Sequence, residues 1–192
     1  MKTDISTVPL RDRLIAEGIN ELNEVGFEQF SLRHVAERCH VSCAAPYRHF
    51  ADKTELIVAI LTYINGQWTE CVTQVVAKPF ASTRDKLVAV SMAYITFLLE
   101  NPKFRSIIMQ SGSADLSDIQ RPIASLSQIS RELVDRYCAE VEMPPEVRFR
   151  KLFVIRSLIY GAALMIDNGE LPTAQATMEM VRQTMEREFD LP

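Results

Sequence analysis

The chain has 192 residues, 47% hydrophobic and 24% charged, with only six glycines. That length suits one domain or two small ones sharing a core, and the composition excludes a collagenous, low-complexity or wholly disordered chain. A net charge of −4, from 21 basic and 25 acidic residues, argues against a nonspecific nucleic-acid or polybasic membrane binder. Apolar runs such as Leu152–Ile155 and Ala162–Ile166 fall far short of the roughly 18 residues a membrane span needs. No charged segment followed by an apolar one opens the sequence, so the expected location is the cytoplasm. Four cysteines are too sparse for a disulfide scaffold. Cys39-x-x-x-Cys43 with His40 between is a weak metal signal, so free thiols and no metal or cofactor are expected.

The elements read as helices throughout. Leu10, Leu14, Ile15, Ile19, Leu22 and Val25 recur at helical spacing, and Gly26 stops the pattern as a C-terminal glycine does. Phe27 and Phe30 bracket a tight connection. Ser31 is placed to cap a second helix with apolar face Leu32, Val35, Ala36 and Cys39. His40-Val41-Ser42 forms a three-residue break. Ser42 is then placed to cap a short third helix through about Phe50, irregular in its first turn because of Pro46. Asp52 with Glu55 gives a capping-box start to a long fourth helix. Its buried stripe reads as Leu56, Ile60, Tyr63, Ile64, Gln67, Cys71 and Val75. Further helices are predicted over about 83–100, 103–111, 117–140, 146–166 and 173–189, with breaks at Pro79, Asn101-Pro102, Gly112 and Pro144-Pro145. The fold class is all-α, with about nine helices.

Two short helices joined by a three-residue turn, behind a longer supporting helix, form a helix-turn-helix layout. In the DNA-binding version the second helix of the pair presents its first residues to base edges in the major groove. Ser42, Cys43, Ala44 and Ala45 are small enough to approach the groove floor. Arg48, His49 and Lys53 follow where a phosphate backbone would pass. Residues 31–53 carry Arg33, Arg38, Arg48 and Lys53 against Glu37 and Asp52, together with all three histidines of the chain, His34, His40 and His49. Glu17, Glu21, Glu24 and Glu28 are expected on a separate face.

The stretches Glu21-Leu22-Asn23-Glu24-Val25-Gly26-Phe27, Ser31-Leu32-Arg33-His34-Val35-Ala36 and Val41-Ser42-x-x-x-x-Tyr47-Arg48-His49-Phe50-x-x-Lys53-x-x-Leu56 closely resemble the N-terminal domain of the TetR family of bacterial transcriptional repressors. The motif covers about a quarter of the chain. The resemblance implies a homodimer of mostly nine-helix protomers that binds a near-palindromic double-stranded DNA operator and releases it when a small molecule binds. It implies residues 1–55 as the DNA-binding domain and 56–192 as a helical effector-binding and dimerisation domain. Position by position, Arg33 matches a residue that can reach a base, and Ser42, Cys43, Ala44 and Ala45 match the base-facing start of the recognition helix. Tyr47 and His49 match the phosphate-contacting pair, and Lys53 the phosphate-contacting lysine. His40 departs from the glycine common in the turn, and Asn and His are the non-glycine residues that best tolerate positive φ. Cys43-Ala44-Ala45 offers few hydrogen-bond donors, which leaves specificity to Arg33, thymine-methyl contacts and DNA shape. The plainer alternatives are a core aromatic for Tyr47, a solvated surface residue for His49 and an i, i+4 pair with Glu37 for Arg33.

In the rest of the chain, Ala174, Met178, Val181 and Met185 step as a coiled-coil seam. Ile155, Leu158, Ile159 and Ala162 belong to a helix more apolar than one partner would cover. These eight residues are the expected dimer interface, in a four-helix arrangement from two protomers, with internal core as the alternative. Trp68, Tyr94, Phe97, Phe104, Met109 and Tyr137 are the candidate lining of a pocket for a small, largely apolar effector, again with plain core as the alternative. No histidine follows His49, and no nucleophilic triad, phosphate loop or paired carboxylates occur, so an enzyme is not expected. Two other functions stay open: a redox-sensing regulator switched at Cys43, and a helical ligand-binding or scaffold protein that no longer binds DNA.

Overall fold

A computed structural model describes residues 8–110 and 126–190. Helix α1 (Leu10–Gln29) is interrupted at Gly26, whose φ of 73° and ψ of −179° lie in a region open only to glycine. Phe27 and Phe30 are buried on either side of the bend into α2 (Leu32–Arg38). Ser31 is extended before α2, yet its side chain makes no capping hydrogen bond, contrary to expectation. The turn after α2 is a Schellman motif. The Val41 N–H donates to the Ala36 carbonyl and the His40 N–H to that of Glu37, both at 3.0 Å. His40 sits at the left-handed position, φ 55°, which the sequence had flagged.

The third helix of the sequence reading is instead a 3₁₀ turn, Pro46–Arg48. Pro46 has no N–H to give, and the segment is held by i, i+3 bonds: Ala45 to Ser42, Arg48 to Ala45 and His49 to Pro46. The described residues therefore hold eight α-helices and this turn, where nine helices were expected. Ser42 caps no α-helix. By contrast, the Asp52 carboxylate accepts from the Glu55 N–H at 2.9 Å, and Glu55 reaches back to the Ala51 N–H. That capping box opens α3 (Lys53–Val76). The helices α4 (Thr83–Glu100), α5 (Pro102–Gln110), α6 (Gln128–Glu140), α7 (Pro145–Asp167) and α8 (Gln175–Asp190) follow. The expected stop at Gly112 and start of the helix at 117 fall outside the described residues. No strand occurs among the described residues, and no helix there is long and apolar enough to cross a membrane.

The chain divides into two compact units. Among the described residues the first comprises 8–66 and 102–110, and the second 67–101 and 126–190. Helix α3 is continuous across the division.

In the first unit α1 packs against α2 and α5. Its core is Leu14, Ile19 and Leu22 with Leu32, Val35 and Ala36, and with Leu56, Ile57, Ile60, Leu61 and Ile64 of α3. A side chain at Gly18 would meet Ile60 Cδ1 at 2.7 Å, so α1 and α3 approach as closely as they do because position 18 has none. The acidic residues of α1 do not form a separate face. Arg38 of α2 reaches Glu21 at 3.2 Å and Glu17 at 3.9 Å and pairs with Glu24, while His34 Nδ1 lies 3.1 Å from the buried Glu21 carboxylate. The buried face of α3 is rotated from the expected stripe. Leu56, Ile60 and Ile64 are buried as read, but Tyr63 and Gln67 are exposed, and Ile57, Leu61, Trp68 and Val72 take their place.

In the second unit α4 packs against α6, α7 and α8. Leu87, Val88, Ile95 and Leu98 meet a core made by Ile155, Ile159, Ala163 and Ile166 of α7 and by Val181, Met185 and Phe189 of α8. Tyr137 donates to the Phe189 carbonyl at 2.6 Å, and the fully buried Lys151 donates to that of Glu188. Both bonds fix the last turn of α8.

Candidate nucleic-acid interface

Two buried side chains fasten the segment after the turn. Pro46 and Phe50 are buried, and Arg11 of α1 stacks over the Phe50 ring at 5.5 Å. Between the Schellman turn and α3, all residues but these anchors and Ala45 are exposed. Ser42, Cys43 and Ala44 are exposed and Ala45 is half-buried. Tyr47, Arg48 and His49 are exposed, as is Lys53 at the start of α3. Tyr47 is 60% exposed, which removes the core-aromatic alternative. Arg33 is exposed on α2 and pairs with Glu37 at 3.0 Å, the surface contact its spacing allowed. That bond is the first cause raising the guanidinium above its ordinary pKa, and the Cys43 sulfur adds to it. Arg38, also counted as basic surface, is committed to the carboxylates of α1.

The sequence reading named the exposed residues and missed what holds them. The signal was available: Pro46 and Phe50 are four apart and flank Tyr47–His49, a spacing that puts both on one side of a helical turn. Of the cysteines, Cys39 and Cys138 are buried and Cys71 half-buried, and burial is the first cause pushing all three thiols up. Cys43 alone is exposed. No group of three or more potential metal ligands occurs among the described residues.

The six aromatic and methionine residues read as a pocket fall in both units. Trp68, Tyr94 and Phe97 cluster in the second unit, with ring centroids 4.7 Å (Trp68–Tyr94) and 5.5 Å (Trp68–Phe97) apart. Tyr137 is engaged with Phe189 instead. Phe104 lies in the first unit, edge-on to Tyr63 at 6.2 Å, and Met109 of that unit is exposed. A small cavity in the second unit lies between α4, α6 and α7 and is lined by Tyr94 together with Arg131, Arg156 and Tyr160, none of which the sequence reading singled out.

Five of the eight residues expected at a seam between protomers belong to the core of the single chain. Ile155, Ile159, Ala162, Val181 and Met185 are buried within a single chain, because α7 and α8 pack on each other and on α4. Leu158 and Met178 are half-buried and Ala174 is exposed. The large apolar side chains that α7 and α8 leave in solvent are Phe149 (77% exposed), Phe153 (65%), Leu164 and Met165 on α7 and Met180 on α8. Gly161 has open space where a side chain would be.

Residues 14–60 match the family model described as bacterial regulatory proteins, tetR family. No curated protein sequence matches the chain. Among solved structures the chain resembles a protein of unknown function from Rhodococcus sp. RHA1, at 22% identity and TM-score 0.76 over 98% of each chain. It resembles a TetR family transcription regulator from Marinobacter aquaeolei VT8 at 16% identity and TM-score 0.77, over 93% of this chain and 94% of that one. The transcriptional regulator FadR from Bacillus subtilis, in complex with stearoyl-CoA, aligns at 14% identity and TM-score 0.75 over 92% and 98%. Such identities carry likeness of fold alone. The matched residues contain the turn, its anchors and the exposed segment described above, and over that quarter of its length the chain is similar to the bacterial regulatory proteins of the tetR family.

Proposed function

We propose that the protein is a repressor that binds a near-palindromic operator as a homodimer and is released by a small, largely apolar effector. Residues 1–55 would carry DNA binding, and 56–192 effector binding and dimerisation. The observation that supports this best is the exposed segment Ser42–His49, small at its start and polar at its end, fastened by buried Pro46 and Phe50. Small side chains admit the segment to the groove floor, while Tyr47, His49 and Lys53 offer phosphate contacts and Arg33 a base contact. To reach a base, Arg33 must exchange the Glu37 carboxylate for a guanine edge, a change its exposure permits. Dimerisation is supported by the solvent-facing Phe149, Phe153, Leu164 and Met165 on one helix, with Gly161 allowing close approach of a second copy. Such a protein would act beside the chromosome, in the cytoplasm, and performs no catalysis. An effector that favours a conformer mismatched to the operator shifts the population off DNA.

Gel-shift titrations against the DNA upstream of the protein's own coding region test the reading. Tyr47→Phe, His49→Ala and Lys53→Ala are expected to weaken binding to all sequences alike, and Lys53→Ala to flatten the salt slope by about one unit. Arg33→Ala is expected to relax preference at one base position, by about 1–3 kcal/mol. An unchanged preference would remove Arg33 from base reading.

A further inference from the structure

The cavity between α4, α6 and α7 measures about 20 Å³, room for a single water. Its wall is largely apolar, with Ile155 and Ile159 of α7. Its charged groups have one sign: Arg131 and Arg156 line it, and no carboxylate does among the described residues. Arg156 stacks over the Tyr160 ring at 5.9 Å, and Tyr160 meets Tyr94 edge-on at 6.4 Å. Tyr94 is 4% exposed, and its hydroxyl has no hydrogen-bond partner among the described residues. A buried hydroxyl left unmade is costly and uncommon, and a missing partner is one explanation for it. Burial first, then the neighbouring Tyr160, push the Tyr94 pKa well above the usual value against the opposing charge of Arg156. Tyr94 is therefore a neutral hydroxyl lining a site with two cations.

We propose that this cavity receives the head of the effector, and that the effector is an amphipathic carboxylate. Its oxygens accept from the Arg131 and Arg156 guanidinium groups and from the Tyr94 hydroxyl, and its apolar body lies along Ile155 and Ile159. This rests on the effector-release reading above and gives it a chemical class. A cation meets like charge here, and a neutral apolar molecule leaves the Tyr94 hydroxyl unmade. Ligand sites are commonly a few hundred Å³, so entry of such a molecule must part α6 from α7. A ligand that fits only the parted form selects it.

The chain has a single tryptophan, Trp68, packed 4.7 Å from Tyr94 between ring centroids, so its fluorescence reports on this cavity. The full-length protein is titrated with phenylacetate and with decanoate, and with phenylacetamide and decanamide as neutral counterparts. The expected result is a saturable Trp68 response to at least one acid, with its amide at least about tenfold weaker. Arg131→Gln and Arg156→Gln should each weaken the acid about fivefold or more while leaving the amide unaffected. No saturable response to either acid, equal binding of acid and amide, or arginine variants that bind acid like the parent would each overturn the proposal. The titrations are repeated with DNA bound to separate the two claims. An acid that binds with this charge selectivity but leaves DNA affinity unchanged overturns effector release and supports the cavity assignment. A neutral compound that binds as tightly as its acid and releases DNA overturns the carboxylate assignment and supports release.

Discussion

Glu21 is 2% exposed, and its carboxylate is tolerated because Arg38 Nε lies 3.2 Å away and His34 Nδ1 3.1 Å away. Removing the cation strands a buried charge, a loss larger than the gain from forming such a pair. Arg38 is about one-third exposed, so water softens the penalty. Arg38→Ala is expected to lower stability by about 1–3 kcal/mol in a denaturant titration, whereas Lys53→Ala, on an exposed side chain, should leave it within about 0.5 kcal/mol. Equal stability for both variants would mean the carboxylate cluster does not clamp α1 to α2. Tyr94→Phe removes a hydroxyl with no hydrogen-bond partner among the described residues, so stability should hold or rise by about 1 kcal/mol. A clear loss would show that the hydroxyl is bonded after all. Two ion pairs mark what sequence can show at this scale. Arg33 with Glu37 is a local pair, legible from an i, i+4 spacing. Arg38 with Glu21 joins two helices, and nothing local distinguishes Arg38 from a surface arginine.

Breaks in the chain were legible because they depend on backbone limits that a single residue imposes. Gly26 adopts φ 73° and ψ −179°, His40 adopts φ 55°, and Asp52 with Glu55 forms the capping box, all as their types and positions suggest. Gly26→Ala is expected to cost about 1–3 kcal/mol in a denaturant titration, since no L side chain is comfortable there. A neutral substitution would show that the α1–α2 bend relaxes without the glycine. What the pattern could not settle was how strongly one proline acts, or which of two apolar faces packs inward. Pro46 turned an expected helix into a 3₁₀ turn. Val181 and Met185 keep the spacing of a seam, but α7 and α4 of the same chain cover them. Periodicity identifies a buried face without naming the partner that buries it.

At the scale of the whole molecule, that correction changes where a dimer is expected. Val181→Asp places a carboxylate in the core of one protomer and should unfold it. Phe153→Asp changes a side chain that is 65% exposed in the single chain and should give folded monomers. Circular dichroism with sedimentation separates the cases: helical monomers for Phe153→Asp, lost helicity for Val181→Asp. A Phe153→Asp protein that stays dimeric would move the interface off this face of α7. Operator affinity should fall with the dimer, because each half-site supplies only part of the contacts. The central claim is sequence-specific DNA binding by the segment Ser42–His49 with Lys53, and capture of genomic fragments by the purified protein, followed by footprinting of those enriched, tests it most directly. The expected result is a small set of fragments sharing an inverted repeat, with protected major-groove openings about 34–36 Å or a multiple of that apart and no enrichment by a Lys53→Ala, His49→Ala double variant. Fragments that share no sequence, or that the double variant captures equally well, would contradict it.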